Sequence, residues 1–140
     1  MERKQKIALH ILRVGLAITF IGIGIYILKD PVGWSGFIKP WARDLLPTSP
    51  EQVMITTGWG DIVIGVLLLL SRWKIVAFIG ALLATLHMIV VLVTSGINAV
   101  TIRDVAILAA AASVMFIYWP TRRKSLAETQ IPNDIQRPRI

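Results

Sequence analysis

The stretch TTGWGDIVIGVLLLL, Thr56 to Leu70, is apolar except for one carboxylate, Asp61. No other charged residue lies between Glu51 and Arg72. The run is continuous and shows no period-2 alternation, so it predicts a helix rather than a barrel strand. It approaches the roughly 20 apolar residues that a helix needs to cross the hydrocarbon core. An unpaired ion at the bilayer centre costs at least about 2.5–3.5 kcal/mol. The acid is therefore expected to face other helices and to meet opposite charge there.

Three further segments have the same character, giving expected spans at about 7–28, 53–70, 75–93 and 104–119. The first is interrupted by His10 and Arg13, and the third carries His87. The fourth is ended by Pro120 and is short unless residues 101–103 join it. With 140 residues, 55 % of them hydrophobic and 16 % charged, a soluble domain would expose too much apolar surface. The expected fold class is all-α: an integral membrane four-helix bundle over residues 1–120. A mobile basic cytoplasmic tail is expected over 121–140, where Pro132 and Pro138 interrupt a polar run. The basic start of the first segment resembles a signal peptide, but its apolar run is too long and no cleavage pattern follows. It is read as a retained span.

The chain carries 15 Lys/Arg against 8 Asp/Glu, a net charge of +7. Eight cations flank one side of the spans (Arg3, Lys4, Lys6, Arg72, Lys74, Arg122, Arg123, Lys124) and four the other (Lys29, Lys39, Arg43, Arg103). Both termini are therefore expected in the cytoplasm, in a multi-pass protein of the cell membrane. Anionic inner-leaflet lipid accounts for the excess charge without any nucleic-acid partner. The long first outer loop mixes aromatic and charged residues and reads as a segment lying in the interface. Trp34, Trp41, Trp73 and Trp119 are the expected interfacial anchors. Ser49 or Thr48 is placed to cap the second span.

In lipid, close backbone approach drives helix association. Gly58, Asp61 and Gly65 share one face of the second span, and Gly80, Ala84, His87, Val91 and Thr94 one stripe of the third. The first span offers Gly15 with Gly22 on one side and Arg13, Ala17 and Gly24 on the other. Arg103 and Asp104 mark the expected outer start of the fourth. At about 1.5 Å per residue, a ladder from Arg13 through Asp61 and His87 to Arg103 and Asp104 is geometrically feasible. It has three readings: a neutralised structural network, a ligand or proton-relay site, or side chains that snorkel, Arg13 and Arg103 foremost.

His10 is expected at the cytoplasmic headgroups. The two histidines stand roughly 13 Å apart in depth by helical rise, too far to share one haem iron. With two His and no Cys, no metal site is predicted within the chain.

RVGLAITFIGIGIYILKDP (13–31) resembles the first helix of DoxX-like membrane proteins. PWARDLLPTSPEQVMITTGWGDIVIGVLLLLSRW (40–73) resembles their loop and second helix, and RDVAILAAAA (103–112) the Arg-Asp that opens their fourth. The resemblance runs from about Leu12 to Tyr118. It carries over Arg13, Asp61, Arg103 and Asp104 as the family's polar positions, with His87 a looser match. Asp61 departs from the family, which commonly has Glu there, so its shorter side chain reaches less far. The resemblance implies a membrane subunit of a quinone-linked redox assembly, accessory rather than a stand-alone enzyme. Quinone is then the ligand to expect, and a redox protein or a second copy of the chain is the partner besides lipid. In that reading a quinone carbonyl accepts from His87 or Arg103, and Asp61 exchanges a proton. The alternatives are a non-enzymatic membrane scaffold or assembly factor and, third, a small-solute or proton conduit.

Overall fold

A computed structural model describes residues 2–70 and 73–120. Helix α1 spans Arg3–Lys29, α2 Pro31–Ser35, α3 Pro40–Arg43, α4 Pro50–Leu69, α5 Lys74–Ser95 and α6 Ala99–Ile117. The four long helices α1, α4, α5 and α6 are each long and apolar enough to cross a membrane. Among the described residues there is no strand. Residues 71–72 and the basic tail expected over 121–140 lie outside the described residues.

Local chemistry sets the helix ends. Pro31, which follows Asp30, cannot continue α1. Ser49 caps α4 by accepting from the Gln52 N–H at 3.2 Å, with Pro50 in the first turn. Gly96 ends α5 at φ 64° and ψ −169°, a region essentially restricted to glycine. Helix α6 begins at Ala99, five residues before the expected 104. Its cap is Asn98, whose side chain accepts from the Val100 and Thr101 N–H groups while the Thr101 hydroxyl accepts from the Asn98 N–H. Reading the start from Arg103 and Asp104 overlooked this reciprocal cap. The pair therefore sits inside the helix, past its first turn.

The long helices form two closely packed pairs, α1 with α4 and α5 with α6. Glycine makes the first pair. A Cβ on Gly24 would lie 2.6 Å from the Gly58 carbonyl oxygen, and one on Gly65 would lie 2.8 Å from that of Ala17. Of the two small-residue faces on α1, the structure uses the one with Ala17 and Gly24. Gly15 and Gly22 have open space where a Cβ would be.

Toward the termini, the two pairs meet through a core that includes Leu16, Ala17, Leu68, Ala81, Ala84, Ala111 and Val114. Gly80 packs against Leu67 and Leu68 there. Toward the loops at 30–49 and 96–98, the interval between the pairs is a cavity.

The loop after α1 does not merely lie along the bundle. Ile38 and Ala42 are buried and, with Trp34 and Phe37, roof the cavity. The Lys39 N–H donates to the Thr94 carbonyl at 2.9 Å, tying the roof to α5. Arg43 braces the roof, donating to the Ile38 and Ser35 carbonyls at 3.0 and 2.8 Å.

Candidate functional site

The cavity measures about 220 Å³. Every long helix contributes to its wall. Phe20, Ile23 and Ile27 come from α1, Met54, Thr57 and Asp61 from α4, His87, Met88 and Val91 from α5, and Thr101, Asp104 and Ile107 from α6. The surface is mostly apolar, and its ionisable groups are few.

Asp61 comes from the glycine seam of α4. Its close neighbours are small, so the α1 backbone covers it, and only 3 % of its surface is exposed. Across the gap between the pairs, His87 Nε2 lies 2.9 Å from Asp61 Oδ1. That distance permits an ion pair. Yet Oδ1 is buried with no aligned hydrogen-bond donor, so the imidazole N–H does not point at it. Phe20 meets the His87 ring edge-on, with centroids 6.3 Å apart.

Asp104 is also buried, at 6 % exposure, and lines the same cavity. Arg103 NH2 stands 3.5 Å from its Oδ1, at the outer limit of a hydrogen bond, and most of the arginine side chain is in the open. Four of the five ladder residues, Asp61, His87, Arg103 and Asp104, thus border one space.

Arg13 does not. It lies at the other end of the bundle, where NH1 donates to the Tyr118 hydroxyl at 3.1 Å and NH2 is 3.5 Å from His10 Nδ1. Among the described residues no ion pair links Arg13 to Asp61. Similar depth along two helices placed Arg13 near Asp61 on paper, but depth says nothing of direction around the helix axis. Tyr118, whose hydroxyl accepts that guanidinium bond, was not singled out in the sequence because its spacing matches the apolar residues beside it.

The tryptophans divide as well. Trp41, Trp73 and Trp119 are exposed near helix ends, whereas Trp34 is half-buried against Phe37 in the cavity wall. Thr57 and Thr101 also line the cavity, and no charge pattern in the sequence marks them.

The arrangement can enclose a small, largely apolar guest and present it with carboxylate and imidazole. Among the described residues no group of three or more His, Cys, Asp or Glu side chains is placed to hold a metal ion.

A family model described as DoxX matches residues 8–97, more than half of the chain. No curated protein matches the chain. No solved structure matches it.

Proposed function

The chain belongs to the DoxX family of membrane proteins, and on that premise we propose that it is an accessory membrane subunit whose cavity receives the ring of a quinone-class lipid on behalf of a redox partner protein. The observation that carries the reading is the Asp61–His87 contact of 2.9 Å in the wall of a mostly apolar cavity of about 220 Å³.

Size selects one substituted ring. A protein cavity of about 150 Å³ holds benzene, and pockets for drug-sized molecules begin near 300 Å³. Apolar walls from Ile23, Met54 and Val91 suit the ring faces, and the ionisable groups suit its oxygens. Such a ring supplies two-electron, two-proton redox chemistry when bound. The chain's own residues handle position and protons. Asp61 and His87 set a carboxylate and an imidazole side by side in one cavity wall, where a ring oxygen can exchange a proton with such groups. The roof at residues 34–42 keeps bulk water from that exchange. Electron transfer is assigned to the partner, since the side chains here hold protons rather than electrons. The cation bias supports an orientation with the termini in the cytoplasm and the cavity toward the outer side of the cell membrane.

The test uses the full chain in nanodiscs, titrated with tetramethyl-1,4-benzoquinone and, anaerobically, with its quinol. Quenching of tryptophan fluorescence is followed, with Trp34→Phe as the control for the cavity signal. Saturable quenching by at least one form, weakened in His87→Ala, is expected. Absence of saturable binding for both forms would rule the reading out. A chain that only scaffolds an assembly would behave that way.

A further inference from the structure

We propose that the outward face of α4, centred on Trp59, docks a second copy of this chain, with the Trp59 indole of each copy donating to the Thr56 hydroxyl of the other.

Helix α4 turns Gly58, Asp61 and Gly65 toward α1 and buries them. At about 100° per residue, Thr56, Trp59, Gly60 and Val63 fall on the opposite side. Trp59 is 59 % exposed and Val63 55 %. Thr56 is exposed as well, and a Cβ on Gly60 would meet nothing within 4 Å.

Trp59 is misplaced for a lipid-facing residue. It sits near the middle of the 20-residue α4, roughly 14 Å of helical rise from either end. Tryptophan in membrane proteins belongs at headgroup level, where its N–H finds a partner. Among the described residues no acceptor meets the Trp59 indole N–H. Acyl chains offer it none, and a polar group left unmet in hydrocarbon is costly.

The same face carries the acceptor. Thr56 donates its hydroxyl proton to the Gln52 carbonyl at 3.1 Å, so what it offers a neighbour is lone pairs. Helical side chains lean toward the helix N-terminus, which carries the indole of Trp59 toward the depth of Thr56, one turn earlier. A twofold axis along the bilayer normal keeps equal residues at equal depth. Two copies so related set each indole beside the other's Thr56, and the bond forms twice across a self-complementary surface. Gly60 supplies the close backbone approach on which helix association in lipid depends. Lipid tails bring neither half of this pairing, whereas a second copy brings both. The dimer requires no guest in the cavity.

The experiment reads resonance energy transfer between donor- and acceptor-labelled full chains in phosphatidylcholine vesicles, across a range of protein-to-lipid ratios. Saturable, reversible transfer is expected. Trp59→Phe keeps the ring and loses the N–H, and should weaken association about three- to tenfold. Thr56→Val should do the same, and the double variant should be no weaker than either single one, since both remove one bond. Gly60→Leu, which has room within its own chain, should weaken association about tenfold or more. Gly22→Leu, on an open face of α1, should leave it unchanged. Circular dichroism and thermal unfolding confirm that each variant keeps its fold. A chain that stays monomeric at every density overturns the proposal and leaves the face to lipid or to another protein. A dimer that ignores Trp59→Phe and Gly60→Leu, or that is lost in Gly22→Leu instead, overturns it as well.

Discussion

Gly24 of α1 faces Gly58 of α4 so closely that a methyl group on Gly24 would stand 2.6 Å from the Gly58 carbonyl oxygen and 3.1 Å from Asp61 Cβ. The two helices touch backbone to backbone, which is how association is driven where water does not do it. The same approach buries Asp61.

Gly24→Ala must push α1 off α4, since the obstacle is backbone rather than a flexible tip. We expect a loss of about 1–3 kcal/mol, the usual cost of overpacking, in detergent unfolding. Gly15→Ala and Gly22→Ala, which meet open space, are expected to change stability by less than about 0.5 kcal/mol. Equal losses at all three positions would refute the seam.

His87→Ala should destabilise the bundle more than Asp61→Asn. The first strips a buried carboxylate of its 2.9 Å partner, and breaking a buried pair in that way costs roughly 3–5 kcal/mol. The second leaves a histidine that can stay neutral. The double variant Asp61→Asn/His87→Ala should recover part of what His87→Ala loses. Thermal unfolding of the three proteins decides, and an Asp61→Asn loss as large as that of His87→Ala counts against the pairing.

Asn98→Ala removes the acceptor that holds the Val100 and Thr101 N–H groups at 2.9 and 3.1 Å. A loss of about 0.5–2 kcal/mol is expected. Because the cap orients the turn that carries Asp104, guest affinity should fall with it, whereas Asn98→Asp should retain both. Unfolding midpoints together with ring titrations read the two effects separately.

Gly96→Ala places a side chain in backbone space that costs roughly 1–3 kcal/mol for any other residue. Its new methyl would also press on Lys39 Cε at 2.6 Å, but that lysine tip can move aside. The backbone penalty should therefore dominate, and Lys39→Ala should fail to rescue Gly96→Ala. Rescue by Lys39→Ala would show that the clash, not the φ angle, matters.

The four spans and the inward placement of Asp61 could be read from the chain because lipid enforces them. A polar residue in a twenty-residue apolar run has few places to go, and small residues three and four apart mark the contact face. What escaped depended on direction or on distant partners. Arg13 shares a depth with Asp61 but points toward Tyr118, and only the packed bundle fixes that rotation. Ile38 and Ala42 look like ordinary interfacial residues until the loop folds back over the helices. The start of α6 was legible in Asn98 and Thr101, whose spacing forms a cap, but the neighbouring Arg103 and Asp104 drew the boundary inward.

Asp61 belongs to one tightly joined helix pair and His87 to the other, and the pairs are closely packed at one end and parted at the other. Their contact thus bridges the two pairs on the side where they are parted, and to widen the gap there is to break it.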